Sequence, residues 1–263
     1  LNSLLNDLEA QVDGYSFKRF DTFHQLSLPV VNERGFSLVP RVGARYTNYF
    51  DIDSGDPDID SSESRALLHA GIEGAFKFSR EYPDVRSDRW GLNELRHIVQ
   101  PYFNYSFLAG NDLSGDVPRI DRLTPSTQLR PIDISKYTAT DDLSPWNVLR
   151  LGVRNVLQTK RDGQTHNWLQ LNTYLDTFLE DPEASRTYSN LFNELVWHPL
   201  PWLKLEMDSQ LPIFADEQDF VEVNSRLRYM PTKNMEFILS HRFLSDHPFF
   251  GDSNLLNFRF YTK

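Results

Sequence analysis

Apolar and polar residues alternate along most of this chain, and the period of the alternation is two. Between Trp202 and Phe214, Leu203, Leu205, Met207, Ser209, Leu211 and Ile213 alternate with Lys204, Glu206, Asp208 and Gln210. Period two belongs to a strand, whose successive side chains point to opposite faces. Soluble strands average about five or six residues, whereas a tilted strand that crosses a bilayer needs about nine to eleven. Length therefore discriminates where alternation alone does not.

The same pattern recurs. From Trp146 to Thr159, Leu149, Leu151, Val153 and Leu157 form one face, and Arg150, Gly152, Arg154 and Gln158 the other. Asp162-Gly163 then supplies a tight-turn signal before a strand over His166–Leu179. Tyr188–His198 is a weaker member, since Asn193 interrupts its apolar side, and Phe220–Tyr229 is a clear one. Upstream, Tyr15–Val31 and Phe36–Phe50 flank Asn32-Glu33-Arg34-Gly35, which reads as a hairpin turn. Arg65–Tyr82, Leu95–Leu108, Met235–Leu244 and Asn254–Tyr261 complete a series of about eleven strands, nearly all neighbours in sequence.

Connections differ in size. Several are short, but residues 109–145 form a long polar segment rich in Asp, Ser, Thr and Pro. Long structureless loops are uncommon inside compact domains. Outer-membrane barrels carry short turns on one rim and long loops on the other, and the acidic stretch Asp51–Glu63 falls on the long-loop side by parity. Residues 1–14 form a lead-in, with a short amphipathic helix expected through Leu4, Leu5 and Leu8. The start lacks the basic and long apolar regions of a secretion signal, so in an exported protein such a signal lies upstream. The expected architecture is all-β: an antiparallel up-and-down transmembrane β-barrel, partial, occupying residues 15–263.

Composition is compatible with this. Mean hydropathy is −0.50, and no run approaches the roughly 20 apolar residues of a membrane helix. Barrel strands escape that test, because lipid-facing and lumen-facing residues average out. A formal charge of −10 argues against a nucleic-acid backbone binder. With no cysteine in the 263 residues, neither disulfides nor thiolate metal sites are available. Trp146, Trp197, Trp202, Tyr49 and Tyr82, near strand ends, suit aromatic girdles at the membrane interfaces.

Three stretches, in order, resemble the lipopolysaccharide-assembly outer-membrane protein family (LptD/OstA). Arg19–Arg45 followed by Tyr46-Thr47-Asn48-Tyr49 is similar to that family's strand pair with a Leu-Pro end and a Pro-Arg-x-Gly-x-Arg-Tyr-Thr start. Leu95–Phe107 resembles its Arg-His-x-x-x-Pro-x-x-x-Tyr strand, and Val148–Arg161 its Arg-x-Gly-x-x-Asn-x-Leu-Gln-Thr-Lys strand. The resemblance covers most of residues 15–161; it does not extend to the family's periplasmic domain or its cysteines. It implies a Gram-negative outer-membrane component that inserts lipopolysaccharide into the outer leaflet through a lateral seam, without covalent chemistry. It also implies as partners lipopolysaccharide, membrane lipids, a periplasmic lipopolysaccharide-bridge protein and a lipoprotein plug of the LptE type.

For such an anionic, amphipathic cargo, inward arginines could guide phosphates by bidentate contacts. Arg41, Arg45, Arg150, Arg154, Arg226 and Arg228 fall on faces expected to turn inward. Glu73, Asp176, Glu206, Asp208 and Glu222 are expected there too, which makes a salt-bridged wall the competing role. Pro29, Pro40, Pro101 and Pro212 lie in or beside strands and mark bends or weakened pairing. The seven histidines show no metal-binding spacing, no cofactor motif is present, and no GxSxG supports an outer-membrane hydrolase. Two other readings remain open: a general porin or receptor barrel, and a soluble β-rich binding protein.

Overall fold

The computed structural model describes residues 16–32, 35–53, 61–113, 119–124, 126–180, 187–213 and 220–262; the amphipathic segment expected in residues 1–14 lies outside them. It is all-β. The strands are β1 (Ser16–Ser27), β2 (Val30–Val31), β3 (Phe36–Asp53), β4 (Ser62–Phe76), β5 (Phe78–Ser87), β6 (Leu92–Gly110) and β7 (Trp146–Arg161). They continue with β8 (Gln164–Glu180), β9 (Leu191–Leu200), β10 (Leu203–Leu211), β11 (Val221–Thr232), β12 (Met235–Ser245) and β13 (Ser253–Thr262). All 13 join one sheet in the order β1-β3-β4-β6-β7-β8-β9-β10-β11-β12-β13, with β2 beside β3 and β5 beside β6.

That order is an antiparallel meander. Eleven strands form its path, because β1 and β2 are one pass broken at Pro29, and β4 and β5 are another broken at Lys77. The Lys77 amide leaves the ladder to donate to the Gly35 carbonyl (2.8 Å). The sheet is open, with β1 and β13 at its two ends, whereas the sequence reading expected part of a barrel wall. Pro40 and Pro101 stay within β3 and β6, while Pro29 and Pro212 lie just outside strands.

Two of the expected turns are seen, the second only at Asn32 and Gly35, since Glu33 and Arg34 lie outside the described residues. Asp162 and Gly163 have φ of 50° and 76°, the left-handed pair that a two-residue hairpin requires. Gly35 (φ 82°) donates to the Asn32 carbonyl (3.2 Å), and the Asn32 amide donates to the Phe36 carbonyl (3.0 Å). The connections alternate in length along the meander. At one end of the strands they are 32–35, 88–91, 162–163, 201–202 and 233–234; at the other, 54–61, 111–145, 181–190, 212–220 and 246–252.

The chain forms two compact units: residues 1–29, 39–72 and 105–148, and residues 30–38, 73–104 and 149–263. In the second unit, cross-strand register sorts the side chains cleanly. Leu169, Trp197, Leu205, Leu227, Leu239 and Phe258 are successive partners across six strands. Leu203, Tyr229, Phe237 and Phe260 form a parallel row, with Phe237 and Phe260 ring centroids 4.9 Å apart. On the other face lies the row Gln170, Val196, Glu206, Arg226, Ser240 and Asn257. Asn193, which breaks the apolar alternation of β9, is matched in register by Thr173 and Ser209 and hydrogen-bonds both (2.9 and 3.3 Å).

The apolar face is open on β11, β12 and β13. Leu227, Tyr229, Leu239, Leu256, Phe258 and Phe260 are all open, with Phe258 63% exposed. A soluble sheet would cover such a face with a second layer, since monomers rarely expose contiguous apolar patches beyond a few hundred Å². No helix among the described residues is long and apolar enough to cross a membrane.

Candidate functional site

In the first unit the polar face is the covered one. Odd-numbered residues of β1, β3 and β4 share this face: Arg19 pairs with Tyr49, Asp21 with Thr47 and Ser27 with Arg41 in register, and Arg65, Leu67 and His69 are buried on β4. Even-numbered Phe20, Leu26, Val42, Tyr46 and Leu68 point the other way and are exposed. What covers the polar face is the long connection expected to be an exposed loop. Its residues 126–145, with 119–124 tied to them, form a strap across the strands.

The strap has an apolar and an ionic attachment. Ile134, Tyr137, Ala139 and Leu143 pack with Leu67 and Leu108 of the sheet, bordered by Phe23, Leu123 and Trp146. An Ile or Leu side chain such as Ile134 or Leu143, fully removed from water, stabilises by roughly 1.5–3 kcal/mol. Two single-turn 3-10 segments, Ile134–Lys136 and Thr140–Asp142, shape the strap; Asp133 starts the first by accepting from the Ser135 amide (3.0 Å).

Asp141 is the ionic hub and is 2% exposed. Its carboxylate accepts from Arg19 (3.0 Å), from the Tyr49 hydroxyl, and from the amides of Ile120 and Asp121 (both 2.9 Å). Arg19 also pairs with Asp121 at 2.6 Å. Arg65 donates to the carbonyls of Thr140 (2.5 Å) and Leu143 (3.0 Å), and its Nε is buried without a hydrogen-bond partner. Arg41 faces Asp133 at 3.4 Å. Burial pushes the Asp141 carboxyl up, but the Tyr49 hydroxyl, the two strap amides and the Arg19 charge outweigh it and hold the group below the ordinary carboxylate range. Asp133 is held low for a similar reason: burial is outweighed by the hydroxyl and amide of Ser135 and the charges of Arg41 and Lys136.

Each of the six arginines singled out from sequence has a partner within the chain. Arg41 meets the strap, and Arg45 grips Asp21 through two bonds (2.8 and 2.7 Å). In the second unit, Arg150 holds Asp176 in the same bidentate manner (2.7 and 2.9 Å), and Arg154 lies 4.1 Å from the Tyr102 ring centroid. Arg226 reaches Glu206 at 4.0 Å, and Arg228 reaches Glu236 at 2.8 Å. Of the acidic residues expected alongside, Glu222 is buried and accepts from Gln210 and Asn224, both at 2.8 Å. Glu206, Asp208, Asn224, Arg226, Ser240 and Arg242 line an open groove of about 390 Å³. The arrangement is a salt-bridged polar wall.

Tyr49 and Trp146, expected in aromatic girdles, instead face the strap: Tyr49 is fully buried, and Trp146 Nε1 donates to Ser106 Oγ (2.8 Å). Trp197 and Trp202 do cluster at the short-turn ends, Trp197 with Trp90 and Trp168, Trp202 with Tyr229 (each 5.6 Å). Sequence reading missed Arg19, Tyr49, Arg65, Asp133 and Asp141 as a group. Its available signal was Arg65 and His69 flanking Leu67 on the buried parity of β4. Among the described residues no cluster of metal-ligating side chains occurs.

The second and third of the quoted stretches lie on the neighbouring strands β6 and β7, which contact each other through their side chains. Tyr102 lies against Gly152, where an added Cβ would sit 2.5 Å from the ring. His97 meets Asn155 (3.3 Å), Thr159 accepts from the Asn93 amide (2.8 Å) and Lys160 pairs with Glu94 (2.6 Å). The chain matches no known family profile and no curated protein.

Proposed function

We propose that this chain is part of the wall of a Gram-negative outer-membrane barrel, and that the barrel inserts lipopolysaccharide into the outer leaflet. The observation that carries the membrane reading is the inverted arrangement of the sheet. Its apolar rows run in register across six strands and are open to solvent on β11, β12 and β13, while its polar face is hydrogen-bonded and, in the first unit, packed under the strap. Lipid on one face and a polar lumen on the other satisfy that arrangement. Strand length and the segregation of short turns from long connections support the same reading.

The cargo rests on the three ordered family-like stretches, of which the second and third contact each other on the neighbouring strands β6 and β7. The polar wall then serves as a route for an anionic amphiphile, and the partners are lipopolysaccharide, a periplasmic bridge protein and a lipoprotein plug. In a bilayer both free sheet edges must be paired, because unpaired backbone in hydrocarbon costs several kcal/mol per group.

A photo-crosslinking residue at Ser240, on the polar wall, tests the cargo. In cells it is expected to capture lipopolysaccharide, while the same residue at Leu239, on the apolar face, captures phospholipid. A barrel that conducts small solutes yet gives no lipopolysaccharide adduct from Ser240 would overturn the cargo in favour of a porin. Protein that stays monodisperse without detergent would overturn the membrane.

A further inference from the structure

We infer that the strap is a resident pseudo-ligand: residues 126–145 occupy a site on the polar face of the first unit that takes a phosphate-bearing amphiphile when the strap lifts. This rests on the reading of that face as a substrate surface, and it adds a location and a means of closure. Three arginines from three strands, Arg19, Arg41 and Arg65, converge on one segment. What they hold has a particular chemistry: two carboxylates, Asp133 and Asp141, with Ile134, Tyr137, Ala139 and Leu143 beside or between them, packed on Leu67 and Leu108. Anionic groups flanking an apolar stretch are also what an acidic amphiphile presents.

Arg65 points to the ligand most directly. It is 1% exposed, yet the strap gives it only backbone carbonyls to donate to, and its Nε has no hydrogen-bond partner. Arginine's planar fork matches a phosphate bidentately, so a phosphate here would satisfy the Nε donor that the strap leaves idle. Room for the guanidinium of Arg41 comes from Gly71, where a Cβ would lie 2.8 Å from Arg41 Nε. An amphiphile could replace both the ionic and the apolar attachments of the strap, whereas phosphate alone could replace only the first.

The absence of cysteine allows a direct test. Ser106 is fully buried beneath Trp146, and Ser106→Cys is nearly isosteric. In dodecyl maltoside its maleimide labelling is expected to be slow, and to accelerate at least ten-fold and saturably with dodecyl phosphate. Inorganic phosphate alone is expected to leave it slow. Asp141→Asn in the Ser106→Cys chain should lower the dodecyl phosphate concentration needed, since the latch is weakened. Arg41→Gln should raise it several-fold even though it too loosens the strap, because the ligand loses a partner. Heat-modifiable gel migration shows that each variant remains folded.

No acceleration at any dodecyl phosphate concentration, acceleration by inorganic phosphate alone, or a fall in the required concentration for Arg41→Gln would each overturn the inference. Flotation of the same protein with liposomes is scored separately. Protein that floats but whose strap does not respond overturns the pseudo-ligand and leaves the membrane reading standing, while failure to float overturns the membrane reading itself.

Discussion

At the scale of single residues, the most informative positions are those where an ordinary side chain could not fit or where a charge is enclosed. Gly152 leaves room for the Tyr102 ring, whose Cζ lies 2.5 Å from where a Cβ would be. Gly152→Ala should therefore destabilise by about 1–3 kcal/mol, the usual cost of overpacking. In a Tyr102→Ala background the same substitution should be nearly neutral, and equal costs in both backgrounds would refute the ring contact. Asp141→Asn removes a charge that Arg19, Tyr49 and two amides converge on, and should loosen the strap by about 1.5–3 kcal/mol, the range for a hydrogen bond to a charged group.

The sign of the pH effect follows from the lowered Asp141 carboxyl. A group depressed in the folded state stabilises fully above its unfolded pKa, about 3.9 for Asp, and loses that contribution as pH falls through the lower folded value. Hydrogen exchange of the Ile120 and Asp121 amides should therefore be slower in the native chain than in Asp141→Asn at neutral pH. The difference should shrink as pH falls below the Asp range, and a difference that did not change through the acid titration would contradict the hub.

At the scale of elements, the strands were legible because period two survives in the sequence wherever one face is apolar. Leu203 to Leu211 shows this, and even the Asn193 interruption reappears as a matched polar row with Thr173 and Ser209. The strap was not legible, since its apolar anchors Ile134, Tyr137, Ala139 and Leu143 have no strand or helix period and sit among Asp, Ser and Thr. Its attachment depends on a face assembled from β1, β3, β4 and β6, and no local pattern encodes that. The six arginines were read only as a set on the polar side, because their partners lie 24 or more positions away for Arg41, Arg45 and Arg150. Leu227→Arg places a charge on the bare apolar row, where the lipid midplane would charge about 2–4 kcal/mol. Asn224→Arg, three positions away on the polar wall between Asp208 and Glu222, should assemble normally. Barrel assembly scored by heat-modifiable migration separates them, and equal yields would mean that the apolar row does not meet lipid.

At the scale of the whole sheet, the eleven-strand path sets the direction of its ends. An odd number of antiparallel passes leaves β1 and β13 running the same way, so direct pairing between them would be parallel, whereas bacterial barrels usually have even strand numbers and antiparallel pairs throughout. Either a parallel seam or further strands must therefore complete the wall in a membrane. Both alternatives make the same prediction for β13. In the open sheet one edge of Ser253–Thr262 bonds to β12, and alternate backbone groups point to the free edge. In bilayers every second amide along β13 should gain protection from hydrogen exchange over the value in an open sheet, because hydrocarbon leaves no water to serve the free edge. Rapid exchange at those alternate positions in liposome-bound protein would mean that the edge stays in water, and the membrane wall would have to end before β13.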